Sequence, residues 1–478
     1  MAVAAGIGRR ALILAALAGR VVGAQADART APLSDAEIRA LLMERVEVGR
    51  RSRGLVVGVR SPDGRHLAAY GSSETPGSDG SAGLTPNHRP LDGDTVFEIG
   101  SITKVFTALL LADMVERGEV GLDDPVAKYL PSTMPGGVSL AMHDSKPITL
   151  LDLATYTSGL PNMPDNFAPK DPANPYADYT VAQLYGFLNG FAPRIDPGTH
   201  YEYANLGFGL LGHALALRAG RSYEDLVVER ICSPLGLDST RITPSPSLRG
   251  RLAQGHDSGL DPVANWDLPT LAGAGALRST ANNLFTFLEA CLGVRETPLT
   301  PVFARMLTVR RRAWAQMDVA FGWFVVSRHD DEIVWKDGET GGYSSFVGYS
   351  TKSRLASIVL SNAGILNDDI GFHLINPAYP LTRMRHSTAI DPARLADYVG
   401  SYALTPDFII AITQRDGRLF LTATHQSTYE LFPESEADFF LRVVDAQITF
   451  ERPTNGHGPA PALVLHQNGR DRRAARVP

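Results

Sequence analysis

Polar and apolar positions alternate along the chain with two different periods. Ser34-Asp35-Ala36-Glu37 has the residues of a capping box, and Ile38, Leu41, Leu42 and Arg45 follow at helical spacing, which predicts a helix over 35–50. Leu55–Val59 reads as a strand, Pro62-Asp63-Gly64 as a turn and His66–Tyr70 as a second strand. Residues 72–93 are rich in Ser, Gly, Pro and Asp and predict an exposed loop. From Ser101 the period lengthens again, with Ile102, Val105, Phe106, Leu109, Leu110 and Met114 on one helical face. Residues 120–330 mix helices, clearest at 149–156, 206–218 and 222–232, with long Gly- and Pro-containing connections. Strands return at Val319–Val326, Ile333–Trp335, Ser345–Tyr349 and Leu355–Leu360. A strand–helix start, a helical middle and consecutive strands at the end predict an α+β domain whose antiparallel sheet takes strands from both ends of the segment.

The texture changes near Ile390-Asp391-Pro392. Beyond it come short evenly spaced strands, Phe408–Thr413, Leu419–Ala423, Tyr429–Phe432, Phe439–Val443, Ile448–Phe450 and Leu463–Gln467, with Asp416-Gly417 as a hairpin signal. That spacing predicts a small β-barrel over 392–478. At the other end, Arg9-Arg10 precedes an apolar run, Ala11–Gly19, and small residues lead to Ala24-Gln25-Ala26. This is the pattern of a secretory signal peptide over 1–26, too short to span a bilayer. The twin arginine fits either of two export routes. The mature protein is expected to be exported, periplasmic or secreted, with no integral membrane segment.

Composition narrows the function classes. The 478 residues are 44% hydrophobic and 20% charged, enough apolar surface to exclude bulk disorder. The formal charge of −6 gives no reason to expect nucleic acid as a partner. Two cysteines cannot form a disulfide scaffold, and no Cys/His spacing calls for zinc, so no metal or cofactor is expected. Cys232 and Cys291 both lie in apolar, helical-looking contexts and read as two buried thiols rather than a disulfide.

Three short motifs carry chemistry. Ser101-Ile102-Thr103-Lys104 is an S-x-x-K at a helix start, where positions i and i+3 share a face and the amine reaches the hydroxyl. The positive end of the helix and partial burial both disfavour an ammonium there, leaving an amine able to take the serine proton. Tyr203-Ala204-Asn205 follows the turn Pro197-Gly198-Thr199 and precedes an apolar helix. A phenol beside a cation can act as a base and an amide can hold a carbonyl; in isolation the same residues also read as a turn tyrosine and a capping asparagine. Trp335–Gly342 ends a strand and enters a turn, either a place for a substrate backbone to approach an edge or a plain hairpin with a solvated lysine.

Taken together, in this order and at these separations, the motifs resemble those of the penicillin-recognising serine hydrolases, most closely class C β-lactamases and their DD-peptidase and esterase relatives. Phe97–Lys104 looks like that family's nucleophile motif, Pro197–Asn205 its tyrosine motif, Leu153–Pro161 the segment over the site, and Lys336-Asp337-Gly338 its K-T-G strand. The resemblance covers about residues 30–385 and places a hydrolase domain at 30–387, followed by a lipocalin-like accessory barrel. It implies that Ser101 forms an acyl-enzyme and that Lys104 and Tyr203 share the acid–base work as one titrating unit. Lys336 supplies positive charge, Asn205 binds the substrate amide, and the backbone N–H groups of Ser101 and Glu339 form the oxyanion hole.

Two departures bear on the substrate. Asp337 stands where the family has Thr, beside Gly338, and its carboxylate should repel an anionic substrate or tie Lys336 into an ion pair. Asn162 follows Pro161, where class C enzymes carry Gln two residues beyond the proline. Both are expected at the substrate. The expected activity is that of a class C-type β-lactamase or D-Ala-D-Ala carboxypeptidase/endopeptidase, acting on a small molecule or a peptidoglycan peptide. An esterase on neutral acyl esters uses the same machinery. A non-catalytic penicillin-binding sensor is the alternative of a different class.

Overall fold

The computed structural model describes residues 33–73, 90–131, 137–144, 146–424, 426, 428–453, 458–467 and 470–478. The expected signal segment and most of the expected loop at 72–93 lie outside the described residues. Two compact units are present: residues 33–46 with Ser52–Leu381, and Glu47–Arg51 with Thr382–Pro478.

The larger unit is built on an eight-stranded antiparallel sheet. Its strands in chain order are β1 (Gly54–Ser61), β2 (Gly64–Gly71), then, after a separate short pair β3 (Phe97–Glu98) and β4 (Arg278–Ser279), β5 (Arg311–Trp314), β6 (Met317–Ala320), β7 (Trp323–Arg328), β8 (Asp331–Glu339), β9 (Ser344–Ser350) and β10 (Ala356–Ser361). The spatial order is β2-β1-β10-β9-β8-β7-β6-β5, so the first hairpin of the chain pairs with its last strand, Val57 opposite Val359. This is the α+β class expected, with strands drawn from both ends. Strands β9 and β10 are buried at every position and β1 at all but one, which explains the continuous apolar run of Leu55–Val59. The edge strand β2 is mostly exposed or half-exposed.

Several elements differ from expectation for identifiable reasons. The first helix is α-helical over α1 (Asp35–Met43), with its capping box formed, and widens into a π-helix over Glu44–Val48. The single strand expected at Val319–Val326 is two, because Phe321 and Gly322 both take left-handed φ angles (42° and 80°) and turn the chain between β6 and β7. β5 carries Arg311-Arg312 and was not legible as a strand. Helix α2 (Thr103–Glu116) is not amphipathic: every residue from Thr103 to Met114 is buried, the state of a helix surrounded by its own domain. Phe106 stacks on Phe287 at 4.5 Å on one side of it. Cys232 and Cys291 are both free, and burial pushes the Cys232 thiol up to about 12.

The smaller unit is a closed barrel of eight antiparallel strands in sequential order, β11 (Gly400–Thr405), β12 (Phe408–Arg415), β13 (Arg418–Ala423), β14 (Thr428–Pro433), β15 (Asp438–Phe440), β16 (Ala446–Phe450), β17 (Ala462–Gln467) and β18 (Arg470–Val477). The closing strand β18 escapes detection because Ala474 is its one buried residue among arginines. Inward-facing side chains, among them Tyr402, Ile412, Leu431, Phe439, Ile448 and Leu463, pack into a core, as the width of an eight-stranded barrel permits.

The burial of Phe106 makes a direct test of α2 as the centre of the larger unit. Phe106→Ala is expected to lower stability by about 3–5 kcal/mol, the usual cost of deleting a buried phenyl ring. Chemical denaturation of the full chain measures it; a loss under 1 kcal/mol means the helix is not packed as described.

Candidate active site

The site is assembled where α2 begins. β3 ends at Glu98, and the chain turns through Gly100, whose φ of 48° suits glycine, into a 3₁₀ turn (Gly100–Ile102) that runs into α2. Ser101 and Lys104 therefore lie one turn apart on one face. Lys104 is fully buried, and its Nζ donates to Ser101 Oγ (2.9 Å), Asn205 Oδ1 (2.8 Å) and the carbonyl oxygen of Ala274 (2.5 Å). The Tyr203 hydroxyl lies 2.8 Å from the same Ser101 Oγ. The serine oxygen is thus held between an amine and a phenol.

Tyr203 is fixed by aromatic packing. Its ring stacks on Tyr156 with centroids 4.9 Å apart, and Lys104 Nζ and Lys336 Nζ lie 5.1 and 5.5 Å from its centroid. Tyr156 is buried at a left-handed φ of 56°, a strained conformation for a side chain this large, and also packs against Phe208 and Phe324. Its hydroxyl donates to the carbonyl of Gly322 in the β6–β7 turn. Within the motif Leu153–Pro161 nothing distinguished Tyr156 as the residue holding the phenol in place.

Asn205 opens helix α3 (Asn205–Ala219) but does not cap it with its side chain. The helix start is satisfied from elsewhere: Asn162 Oδ1 accepts from Asn205 N–H (3.0 Å) and the Asn162 carbonyl from Leu206 N–H (2.9 Å). The Asn162 side chain is thereby engaged in positioning Asn205. Asn205 Nδ2 lies 3.5 Å from the Tyr176 hydroxyl, and the Tyr176 ring in turn packs on Trp266 with centroids 5.4 Å apart. Both stand in irregular segments without periodicity, so no sequence signal marked them.

Lys336 to Glu339 all belong to β8, and the turn comes only after them. Lys336 is fully buried rather than solvated; its Nζ lies 2.7 Å from Asp337 Oδ1 and 2.8 Å from the Asp337 carbonyl. Of the two outcomes expected for Asp337, the ion pair is present. β8 is pressed against the residues before the serine. A Cβ on Gly338 would lie 2.0 Å from the Ile99 carbonyl oxygen, and one on Gly100 would lie 2.6 Å from Glu339 N. These two glycines let the backbone of Glu339 reach the nucleophile turn. Below it, Glu98 and Arg278 form a buried pair at 3.0 Å, and burial raises the Glu98 carboxyl above its usual range.

Among the described residues, His143, Asp144 and Asp196 alone bring three metal-capable groups within 4.8 Å, and Lys146 already donates to Asp196. None of the three is among the residues around Ser101.

The Beta-lactamase family model matches residues 37–373. The chain belongs to the beta-lactamase family. A second model, a domain of unknown function (DUF3471), matches residues 385–474. The beta-lactamase relatives include penicillin-binding protein 4* of Bacillus subtilis strain 168, 28% identical over 426 residues, covering 81% of this chain and 89% of the relative. The D-alanyl-D-alanine-carboxypeptidase/endopeptidase AmpH of Escherichia coli K12 is 28% identical over 349 residues, covering 69% and 85%. Among solved beta-lactamase structures, the class C enzyme of Rhodobacter sphaeroides is similar with a TM-score of 0.57 and 27% identity, over 70% of this chain and 95% of that one.

The clearance at Gly338 generates a test of the geometry. Gly338→Ala is expected to lower kcat/KM for an activated ester by about 10²-fold or more, since displacements near 1 Å at a reacting centre have effects of that size. Gly186→Ala, where a Cβ meets nothing within 4 Å, serves as the control and should leave the rate unchanged. Near-UV circular dichroism checks that both variants are folded, and full activity in Gly338→Ala would remove β8 from the site.

Proposed function

We propose that this serine hydrolase works through an acyl-enzyme on Ser101. The observation that carries the reading is the position of Ser101 Oγ, 2.9 Å from Lys104 Nζ and 2.8 Å from the Tyr203 hydroxyl. Either partner, once deprotonated, is placed to take the serine proton as Oγ attacks a carbonyl carbon. The backbone N–H groups of Ser101 and Glu339 receive the developing oxyanion. Collapse breaks the bond to the leaving amine or alkoxide, which takes its proton from the Lys104–Tyr203 unit. Water, deprotonated by the same unit, then releases the acid and restores Ser101. Asn205 holds the substrate amide, and Lys336, Asp337 and Gly338 line the opposite strand.

The substrates proposed are those of the relatives as named: β-lactams and peptides ending in D-alanyl-D-alanine. Export is proposed from the segment Arg9–Ala26. Mixing the protein with benzylpenicillin and recording its intact mass tests the reading. A lasting adduct supports a penicillin-binding protein, and drug loss without an adduct supports a β-lactamase. Ser101→Ala is expected to abolish both, and an adduct mapped to another serine would overturn the assignment.

A second reading, an esterase on neutral acyl esters, is favoured by one specific contact. The Asp337 carboxylate 2.7 Å from Lys336 Nζ cancels the charge that would attract a substrate carboxylate. A like-charge contact at about 4 Å and an effective dielectric near 20 costs up to ~4 kcal/mol, and about 1.4 kcal/mol already changes a rate tenfold. Asp337→Thr is therefore expected to raise kcat/KM for penicillins about tenfold or more, while a neutral ester such as p-nitrophenyl acetate stays within about threefold. Equal changes for both substrates would refute the charge argument.

A further inference from the structure

The buried pair below the nucleophile turn does more than neutralise itself. Glu98 and Arg278 face each other across the two-residue strands β3 and β4 and are 4% and 6% exposed. Glu98 Oε1 accepts from Arg278 Nη2 (3.0 Å) and also from the backbone N–H of Trp266 (3.1 Å). The same Arg278 Nη2 donates to the backbone carbonyl of Trp266 (3.2 Å). One ion pair thus grips both main-chain polar groups of a single residue in an irregular segment. Hydrogen bonds to ionised groups are the strong ones, so the grip is firm where no strand ladder or helix holds the chain.

The Trp266 side chain carries that placement to two parts of the site. A Cβ on Gly341 would lie 2.7 Å from Trp266 Nε1, so the indole rests on the backbone two residues after Glu339. Its ring also packs on Tyr176, with centroids 5.4 Å apart, and the Tyr176 hydroxyl lies 3.5 Å from Asn205 Nδ2. Next to it, Asn265 Nδ2 donates to the Tyr343 hydroxyl (2.9 Å), and the Tyr343 carbonyl accepts from Thr340 N–H (3.0 Å). Residues 265–266 therefore meet the turn after β8 at both Gly341 and Tyr343. An indole is a rigid plate with two side-chain torsions, suited to keeping two elements at a fixed spacing.

We propose that Glu98 and Arg278 are positioning residues for acyl transfer, acting through Trp266 as a strut that sets the Glu339–Gly341 backbone and the Tyr176–Asn205 contact around Ser101. The inference rests on the oxyanion and amide-binding roles proposed above. The strut governs where the Glu339 N–H and Asn205 stand, and proton transfer stays with Lys104 and Tyr203.

The test compares Glu98→Gln with Glu98→Leu. Both leave Arg278 without its carboxylate, so a purely structural role of the ion pair predicts the same loss in both. Only Glu98→Gln keeps an oxygen able to accept from the Trp266 N–H. With p-nitrophenyl acetate, Glu98→Gln is expected to retain about ten times or more the kcat/KM of Glu98→Leu, part of the effect of a displacement near 1 Å at a reacting centre. The difference should shrink to about twofold or less when Trp266→Ala is added, because residues that act through one another are not additive. The same comparison in Arg278→Met keeps it readable if Glu98→Leu alone does not fold, since no buried charge is then left unpaired. A second readout does not use hydrolysis. In protein labelled with 5-fluorotryptophan, the Trp266 resonance, identified by its loss in Trp266→Ala, should move in Glu98→Leu and stay near the parent position in Glu98→Gln. Equal rates in Glu98→Gln and Glu98→Leu, a tenfold difference that persists in Trp266→Ala, or an unmoved fluorine signal would overturn the strut. Hydrolysis that survives Ser101→Ala would instead overturn the acyl-enzyme reading, whatever the fluorine signal shows.

Discussion

A buried lysine amine organises the hydrolase unit. Lys104 Nζ has no exposure, and it donates to three places in the chain: the serine one turn before it, Asn205 at the head of α3, and the carbonyl of Ala274. Burying its N–H donors costs free energy unless acceptors meet them. Each acceptor must therefore be held where it is. Asn162 satisfies the start of α3 and so fixes Asn205. Thr107, one turn after Lys104, donates to the carbonyl of Gly273, next to Ala274. The fold around α2 is in this sense the coordination shell of one amine.

The same constraint explains why the backbone near Ser101 is so closely fitted. Gly100 and Gly338 are needed because two strands' worth of main chain meet over the nucleophile turn with no space for a methyl group. Gly322 repeats the device from the β6–β7 turn, where a Cβ would lie 2.9 Å from the Lys104 carbonyl oxygen. Tyr156 holds its left-handed conformation because its ring is packed by Tyr203, Phe208 and Phe324 together. Such strain persists only where surrounding contacts over-determine it.

Periodicity and motif spacing made the α+β sheet, the barrel and Ser101, Lys104, Tyr203, Asn205 and Lys336 legible before any coordinates. Those residues announce themselves because each stands at a fixed offset in a short motif on a regular element. What stayed hidden has no such offset. Ala274 acts through a carbonyl, which any residue possesses. Tyr176 comes from an irregular segment, and its place beside Asn205 is a product of tertiary packing. The all-round burial of α2 reads in the sequence as a single face because Thr103, Thr107 and Asp113 are polar. Thr107 is buried by hydrogen bonding to Gly273 and Tyr223, and Asp113 by pairing with Arg117 and Arg230. Closing strand β18 is hidden for the opposite reason, since arginines dominate a solvent-facing strand that nonetheless pairs with β11 and β17.

Two buried lysines flank one phenol, and their surroundings divide chemistry from recognition. The acceptors named for Lys104 are neutral: a hydroxyl, an amide and a carbonyl. Its Nζ touches Ser101 directly and lies 5.1 Å from the centroid of the Tyr203 ring. Lys336 instead has a carboxylate 2.7 Å away on the next residue of its own strand. At the distance of the Tyr203 ring the pair acts as a dipole, whose field falls off faster than that of a single charge. Proton transfer at Ser101 depends on contacts of 2.9 and 2.8 Å that this dipole leaves intact. Attraction of a substrate carboxylate depends on the longer-range field that it removes. Under the proposed mechanism a single replacement on β8 shifts which acyl donors are accepted without altering the groups that cleave them, because recognition and proton transfer are assigned to different lysines.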